Sequence, residues 1–161
     1  MNLNTINEIA SELFLALKNQ ETISPLSDKY EEIDINDAYQ ISRKFLSMRE
    51  DHGEKVIGKK IGVTSTVVQE MLGVNQPDFG FLTDYMHVKN KCDFSIEDSL
   101  IQPRAEAEIA FILKEDIQGP EITKEDVILA TEKIVPCFEI VDSRIDDWKI
   151  KIQDTIADNA S

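Results

Sequence analysis

The chain has 161 residues, with 31 Asp and Glu against 17 Lys and Arg and a formal net charge of −14 at pH 7. That length suggests one domain with its own core, and 42% hydrophobic residues is too many for a disordered chain. The acidic balance argues against nucleic-acid binding and against a polybasic membrane-surface protein, since both need clustered Lys and Arg, but it leaves cation binding open. No apolar run approaches the roughly 20 residues of a membrane span. The opening MNLNTINEIASELF lacks the basic and apolar regions of a secretory signal. Cys92 and Cys137 match no metal or redox spacing and read as free thiols of a cytoplasmic protein.

In chain order, residues 5–18 predict an amphipathic helix. Thr5 and Glu8 fit a capping box, and Ile6, Ile9, Ala10, Leu13 and Leu17 form one stripe. A link containing Pro25 follows. Asp34 can cap a second helix carrying Ala38, Ile41, Phe45 and Met48. The texture changes near Gly53, which divides an N-terminal helical segment, 1–52, from a β-rich core, 53–161. Residues 56–63 (VIGKKIGV) predict a strand, and 65–72 a short helix ended by Gly73. Residues 75–78 predict a turn, 79–88 an extended segment, and 90–98 a loop. Residues 105–113 (AEAEIAFIL) give the clearest strand. Thr123 can cap a helix to about Lys133, and 134–141 (IVPCFEIV) predicts a strand with Pro136 near its start. The alternation Trp148, Ile150, Ile152 predicts a strand over 148–155.

Strand alternation puts Glu106 and Glu108 side by side, with Ala110 and Ile112 continuing their face. Two adjacent carboxylates on an apolar strand repel each other and cost desolvation. Arg104, on the same face by parity, is one compensating partner, and a divalent cation is another. Glu139, between Phe138 and Ile140 on another strand, adds a third carboxylate. Three carboxylates without a nearby His or Cys suit a hard, oxygen-preferring cation such as Mg²⁺ or Mn²⁺. The competing reading is that these are edge strands with solvated Glu side chains. Lys60 lies between Gly58 and Gly62 in an apolar strand, and a desolvated Lys near a cation can act as acid or base. Only one of Lys59 and Lys60 can face inward, and spacing leaves the choice open. Asp78 follows Pro77 in a turn, where Asp is common for local reasons. Asp142-Ser143-Arg144 either orients neighbours or forms a turn. The 157–161 run, Ala-Asp-Asn-Ala-Ser, suits a loop lining a site. Trp148 reads as packing, and His52 and His87 stand alone.

Three separated runs carry a resemblance. GKKIGVTSTVVQEMLGVNQPDFGFLTDYM (58–86), PRAEAEIAFIL (103–113) and VPCFEIVDSRIDDWKIKIQDTIADNAS (135–161) resemble the 2-keto-4-pentenoate (2-hydroxypenta-2,4-dienoate) hydratases of the fumarylacetoacetate hydrolase superfamily. The resemblance implies an α+β fold, a mixed β-sheet or roll with N-terminal helices. Members of that family continue beyond the Ala-Asp-Asn-Ala-Ser motif, so the C-terminal part of the core is expected to be missing. Family motifs imply metal ligation by Glu106, Glu108 and Glu139. They imply an acid/base or carboxylate-binding role for Lys60, a site-lining role for Asp78 and a position near the substrate for Ser161. One departure is Lys59, where the family usually has a large apolar residue; the motif favours Lys60 as the functional lysine.

The activity implied is metal-dependent hydration of a 2-hydroxy-2,4-dienoate to a 4-hydroxy-2-oxo acid in the catabolism of aromatic compounds. A small-molecule substrate, a homo-oligomer and association with a decarboxylase are expected with it. The rival implied by the same superfamily is a 4-oxalocrotonate decarboxylase, which carries Ala where this chain has Ser161. A C–C hydrolase is disfavoured, because the N-terminal half holds no His-Glu pair to activate water. A non-catalytic fragment or interaction subunit is the alternative from a different class.

Overall fold

A computed structural model describes residues 1–161, apart from the side chain of Leu72. The chain divides into two compact units, 1–103 with 142–161, and 104–141. This division follows a β-hairpin inserted into the first unit rather than the change of texture at residue 53.

The first unit is built on helices. α1 (Leu3–Asn19) buries Ile6, Ile9, Ala10 and Leu13, the stripe expected from spacing. Its cap is Asn2 rather than Thr5, because the Asn2 Oδ1 accepts the Thr5 N–H at 3.0 Å and so draws Thr5 into the first turn. A short α2 (Leu26–Lys29), unforeseen in the sequence, follows Pro25 and buries Leu26. α3 (Ile35–Asp51) starts at a capping box in which Asp34 accepts the Asp37 N–H and Asp37 accepts the Asp34 N–H. It lays Ala38, Ile41 and Phe45 into the same core as α1. Full burial of side chains such as Ile9, Leu13, Ile41 and Phe45 contributes roughly 1.5–3 kcal/mol each.

The Met1 α-ammonium pairs with Asp37 at 2.7 Å. This hydrogen bond holds the Asp37 carboxyl below the usual carboxylate range and raises the α-amino group above its ordinary value of about 8. The Asp37 contribution to stability is present above the unfolded carboxylate pKa and is lost as pH falls through the lower folded value. The α-ammonium contribution is present below about pH 8 and is lost as pH rises through the higher folded value. The gap in urea midpoint between wild type and Asp37→Asn should be widest near neutrality and should shrink at both ends. A gap independent of pH would remove this pair from the account.

β1 (Val56–Gly62) pairs antiparallel with β2 (Asp78–Thr83), with Lys60 opposite Gly80 and Gly62 opposite Asp78. α4 (Thr66–Leu72) joins them, capped by the Ser65 hydroxyl and ended by Gly73 at φ 67°, where a left-handed residue is required. Arg49 at the end of α3 ties into this hairpin through Glu54 at 2.7 Å and Thr83 at 3.3 Å. The strand expected over 148–155 is not formed. Residues 146–148 make a 3-10 turn, and α6 (Ile152–Ala157) follows. Asp154 accounts for the helix: its carboxylate accepts the Lys151 N–H at the helix start and both the N–H and hydroxyl of Ser27. Ile152 and Ile156, one turn apart, then bury in the helical core.

The second unit is the hairpin of β3 (Arg104–Leu113) and β4 (Thr131–Val141), linked through α5 (Lys124–Ala130). α5 is shorter than the predicted helix, because residues 131–133 enter the ladder, with Leu113 opposite Thr131 and Ile112 opposite Lys133. Pro136 therefore lies in mid-strand, opposite Ile109, which is tolerated because each strand of a two-stranded sheet is an edge.

Candidate functional site

In the second unit, Glu106 lies directly opposite Glu139, and Glu108 lies two residues along on the same face. One carboxylate oxygen from each of the three lies within 4.8 Å of the others. Glu106 and Glu108 are exposed and Glu139 is half-buried, so within this unit the two strand carboxylates are not desolvated as the apolar sequence around them suggested. Their mutual repulsion remains. Octahedral coordination at about 2.0–2.1 Å needs ligand oxygens about 3 Å apart, within reach of small side-chain rotations. The donor set is all carboxylate, which fits a hard cation. Arg104 shares the strand face by parity and has interactions of its own.

In the first unit, Gly58, Lys60 and Gly62 are the more buried positions of β1, and Lys59 and Ile61 are exposed. Lys59 belongs to the opposite face, with its ammonium 5.8 Å from the centre of the Phe79 ring. Across the hairpin, the face of Lys60 carries Asp78, Gly80 and Leu82. Lys60 and Asp78 are thus diagonal neighbours, within reach of a long side chain. Asp78 is 4% exposed, and its carboxylate occupies the space a side chain at Gly62 would need. Gly80 is covered by the backbone of Asn159 and by Ala160, so this face holds few side chains besides Lys60 and Asp78. Tyr39 stacks on Phe79 with ring centres 4.6 Å apart. Burial, joined by the Asp78 charge, pushes the Tyr39 phenol up, against a hydrogen bond from the Phe79 backbone.

Asp142-Ser143-Arg144 and the segment after α6 form one buried network in the same unit. The Arg144 Nε donates to Asp158 Oδ1 at 2.5 Å, Nη1 to the Asp142 carbonyl at 2.6 Å, and Nη2 to the Asp158 carbonyl at 2.7 Å. The Arg144 N–H and the Ser143 hydroxyl donate to Asp158 Oδ2. Burial raises the Asp158 carboxyl pKa, and the guanidinium opposes the rise. The Ser161 hydroxyl donates to Asp158, at 2.6 Å to its carbonyl and 2.9 Å to its carboxylate, and accepts from Arg144 Nη2 at 3.2 Å. Asp142 accepts the N–H groups of Ile101 and Gln102, and the Trp148 indole donates to the Gln102 carbonyl. The network's members were visible in the sequence only as a possible turn and a polar run. A signal was present in the apolar residues around Asp158, which leave a carboxylate there in need of a buried partner.

The structure therefore gathers Lys60, Asp78 and the Asn159–Ser161 segment in one unit and the three Glu residues in the other. Other candidates are held elsewhere: His52 packs on Phe14 and bonds the Met48 carbonyl, and Cys92 and Cys137 are free and exposed. Among the described residues, no helix is long and apolar enough to cross a membrane.

No family model matches the chain. It is 58% identical over all of its 161 residues to a 2-hydroxypent-2,4-dienoate hydratase of Pseudomonas putida, of which it spans 72%. It is 61% identical over 150 residues to a 2-hydroxyhexa-2,4-dienoate hydratase of Comamonas testosteroni, covering 92% of this chain and 57% of that protein. Among solved structures, a 4-oxalocrotonate decarboxylase from Pseudomonas putida G7, complexed with magnesium and adipate, superposes on the whole chain with a TM-score of 0.94 at 31% identity, and the match covers 61% of that protein. The same decarboxylase complexed with calcium and acetate gives 0.92 at 30% identity, with 60% of that protein covered. With identity this high over its full length and across 72% of one relative, the chain belongs to the 2-hydroxypenta-2,4-dienoate (2-keto-4-pentenoate) hydratase family.

Proposed function

We propose that the chain serves metal-dependent hydration of 2-hydroxypenta-2,4-dienoate to 4-hydroxy-2-oxopentanoate, on a fumarylacetoacetate-hydrolase-like core. The observation that carries this reading is the cluster of Glu106, Glu108 and Glu139 in a chain of this family. These carboxylates would hold Mg²⁺ or Mn²⁺, which when bound supplies Lewis acidity toward the C2 oxygen of the substrate. The remaining work is proton transfer. A proton reaches C5 as the C2 hydroxyl loses its own, giving an α,β-unsaturated ketone; water then adds oxygen at C4 and a proton at C3. Lys60 is assigned the proton transfers, with Asp78 beside it on the same strand face. Ser161 is assigned to the substrate side, at the end of a segment fixed by Arg144 and Asp158.

A second reading, decarboxylation of 4-oxalocrotonate, is favoured by the solved structures named for that activity. Hydration is preferred because the relatives named hydratases share about twice the identity. The free, exposed thiols of Cys92 and Cys137 fit a cytoplasmic setting. Exposed apolar side chains such as Phe138 and Ile109 fit a homo-oligomer or a decarboxylase partner.

The test titrates the chain with Mn²⁺ and Mg²⁺ and follows loss of dienoate absorbance, with 4-oxalocrotonate in parallel. Cation-dependent loss of the dienoate supports hydration. Turnover of 4-oxalocrotonate alone supports the second reading, and cation binding without turnover marks a non-catalytic chain.

A further inference from the structure

The segment that ends at Ser161 is held on the hairpin by one side chain. The Asn159 amide takes both main-chain groups of Phe81: Oδ1 accepts its N–H at 2.8 Å, and Nδ2 donates to its carbonyl at 3.0 Å. Phe81 lies opposite Lys59 in the β1–β2 ladder, so Asn159 acts as a one-residue strand partner along β2. The backbone there is unusual. Asn159 and Ala160 are both left-handed, at φ 67° and 59°. Asn accepts that conformation readily, whereas Ala is strained in it. Strain of this kind persists where surrounding contacts over-determine the backbone.

The contacts that do so are identifiable. Arg144 and Asp158 fix the segment on one side. On the other, the Asn159 carbonyl and the Ala160 methyl group fill the space over Gly80. Gly80 is the register partner of Lys60 and lies two residues from Asp78 on the same face. The strained turn is therefore seated on the strand face that carries Lys60, to which proton transfer is assigned, and Asp78.

We infer that Asn159 is a positioning residue, which seats the 159–161 segment over Gly80 and so sets the space available to Lys60 and Asp78. This inference rests on the hydratase reading for its catalytic consequence, but its geometric content can be tested without turnover. Asn159→Gly keeps the left-handed backbone and removes both hydrogen bonds to Phe81. Gly80→Ala attacks the same seat from the strand side, since its methyl group would meet the Asn159 carbonyl.

The first readout is acylation of lysines followed by mass spectrometry, with exposed Lys59 as internal control for half-buried Lys60. Both variants should raise the ratio of Lys60 to Lys59 labelling several-fold and speed hydrogen exchange at the Phe81 amide. The second readout is turnover: kcat should fall by about 10²-fold, the scale of an ångström-sized misplacement, with KM and Mn²⁺ affinity little changed. Asn159→Asp, which keeps the acceptor for the Phe81 N–H, should recover part of kcat. An unchanged labelling ratio overturns the inference whatever the activity. A changed ratio with wild-type kcat overturns the catalytic consequence. A wild-type chain that binds no cation and turns nothing over removes the hydratase reading, and the labelling ratio still decides the seat.

Discussion

Changing Glu106 and Glu108 together to Gln is expected to abolish cation binding and cation-dependent turnover. Both are neutral isosteres, so the β3–β4 ladder should survive while two of three anionic ligands are lost. A single remaining carboxylate at Glu139 cannot compete with water for a hard cation. Stability should move the other way. Without metal, Glu106 faces Glu139 directly and like charges opposed across a ladder are destabilising, so the double variant should be at least as stable as the cation-free wild type. In the presence of Mn²⁺ the order should reverse, because binding to the folded state alone stabilises it. Calorimetric titration with Mn²⁺ and thermal melts with and without the cation read both effects. Retained Mn²⁺ affinity in the double variant would remove these residues from the metal role.

Arg144→Met should destabilise the chain by about 3–5 kcal/mol, the usual cost of removing one member of a buried ion pair. Arg144 is 6% exposed and Asp158 fully buried, and the guanidinium also bonds two backbone carbonyls and Ser161. Its removal leaves the Asp158 carboxylate without its cation, so the carboxyl pKa should climb further. A raised carboxyl pKa in the folded state favours the folded protein as pH falls, so the deficit of the variant should narrow in acid. Arg144→Lys should rescue little, since one ammonium cannot reproduce a planar fork that reaches three residues. Urea denaturation at pH 5 and pH 8 measures the cost and its pH dependence. A loss under 1 kcal/mol, or a deficit that widens in acid, would contradict the assigned charge state.

The α1 and α3 stripes were legible because helical spacing alone selects the residues that meet the core. The Glu106 and Glu108 face was legible because strand parity requires it, and Glu139 because it interrupts another apolar strand; the motif resemblance added the ligand role. The alternation of Trp148, Ile150 and Ile152 does not mark a strand, because α6 begins at Ile152. Asp154, which bonds Ser27 from far away in sequence, decides for a helix there. The end of α5 was misplaced because residues 131–133 have no strong local preference and follow their partners on β3. Lys59 and Lys60 could not be separated by spacing, and the burial of alternate β1 positions separates them.

Sequence by itself determined the two helical stripes, the E-x-E strand face, the acidic character and the family motifs, because each depends on periodicity or on short runs of residues. Tertiary structure alone decided that Glu106 lies opposite Glu139, that Lys60 shares a face with Asp78, and that Asn159 closes on Phe81. These relations join residues distant along the chain. They follow from strand register and from the burial of Arg144 with Asp158, which no local pattern encodes. Of the 31 acidic residues, Asp37, Asp154 and Asp158 hold the fold together through buried or part-buried partners, and Glu106, Glu108 and Glu139 gather on one face of the β3–β4 ladder, the arrangement on which the proposed cation site rests.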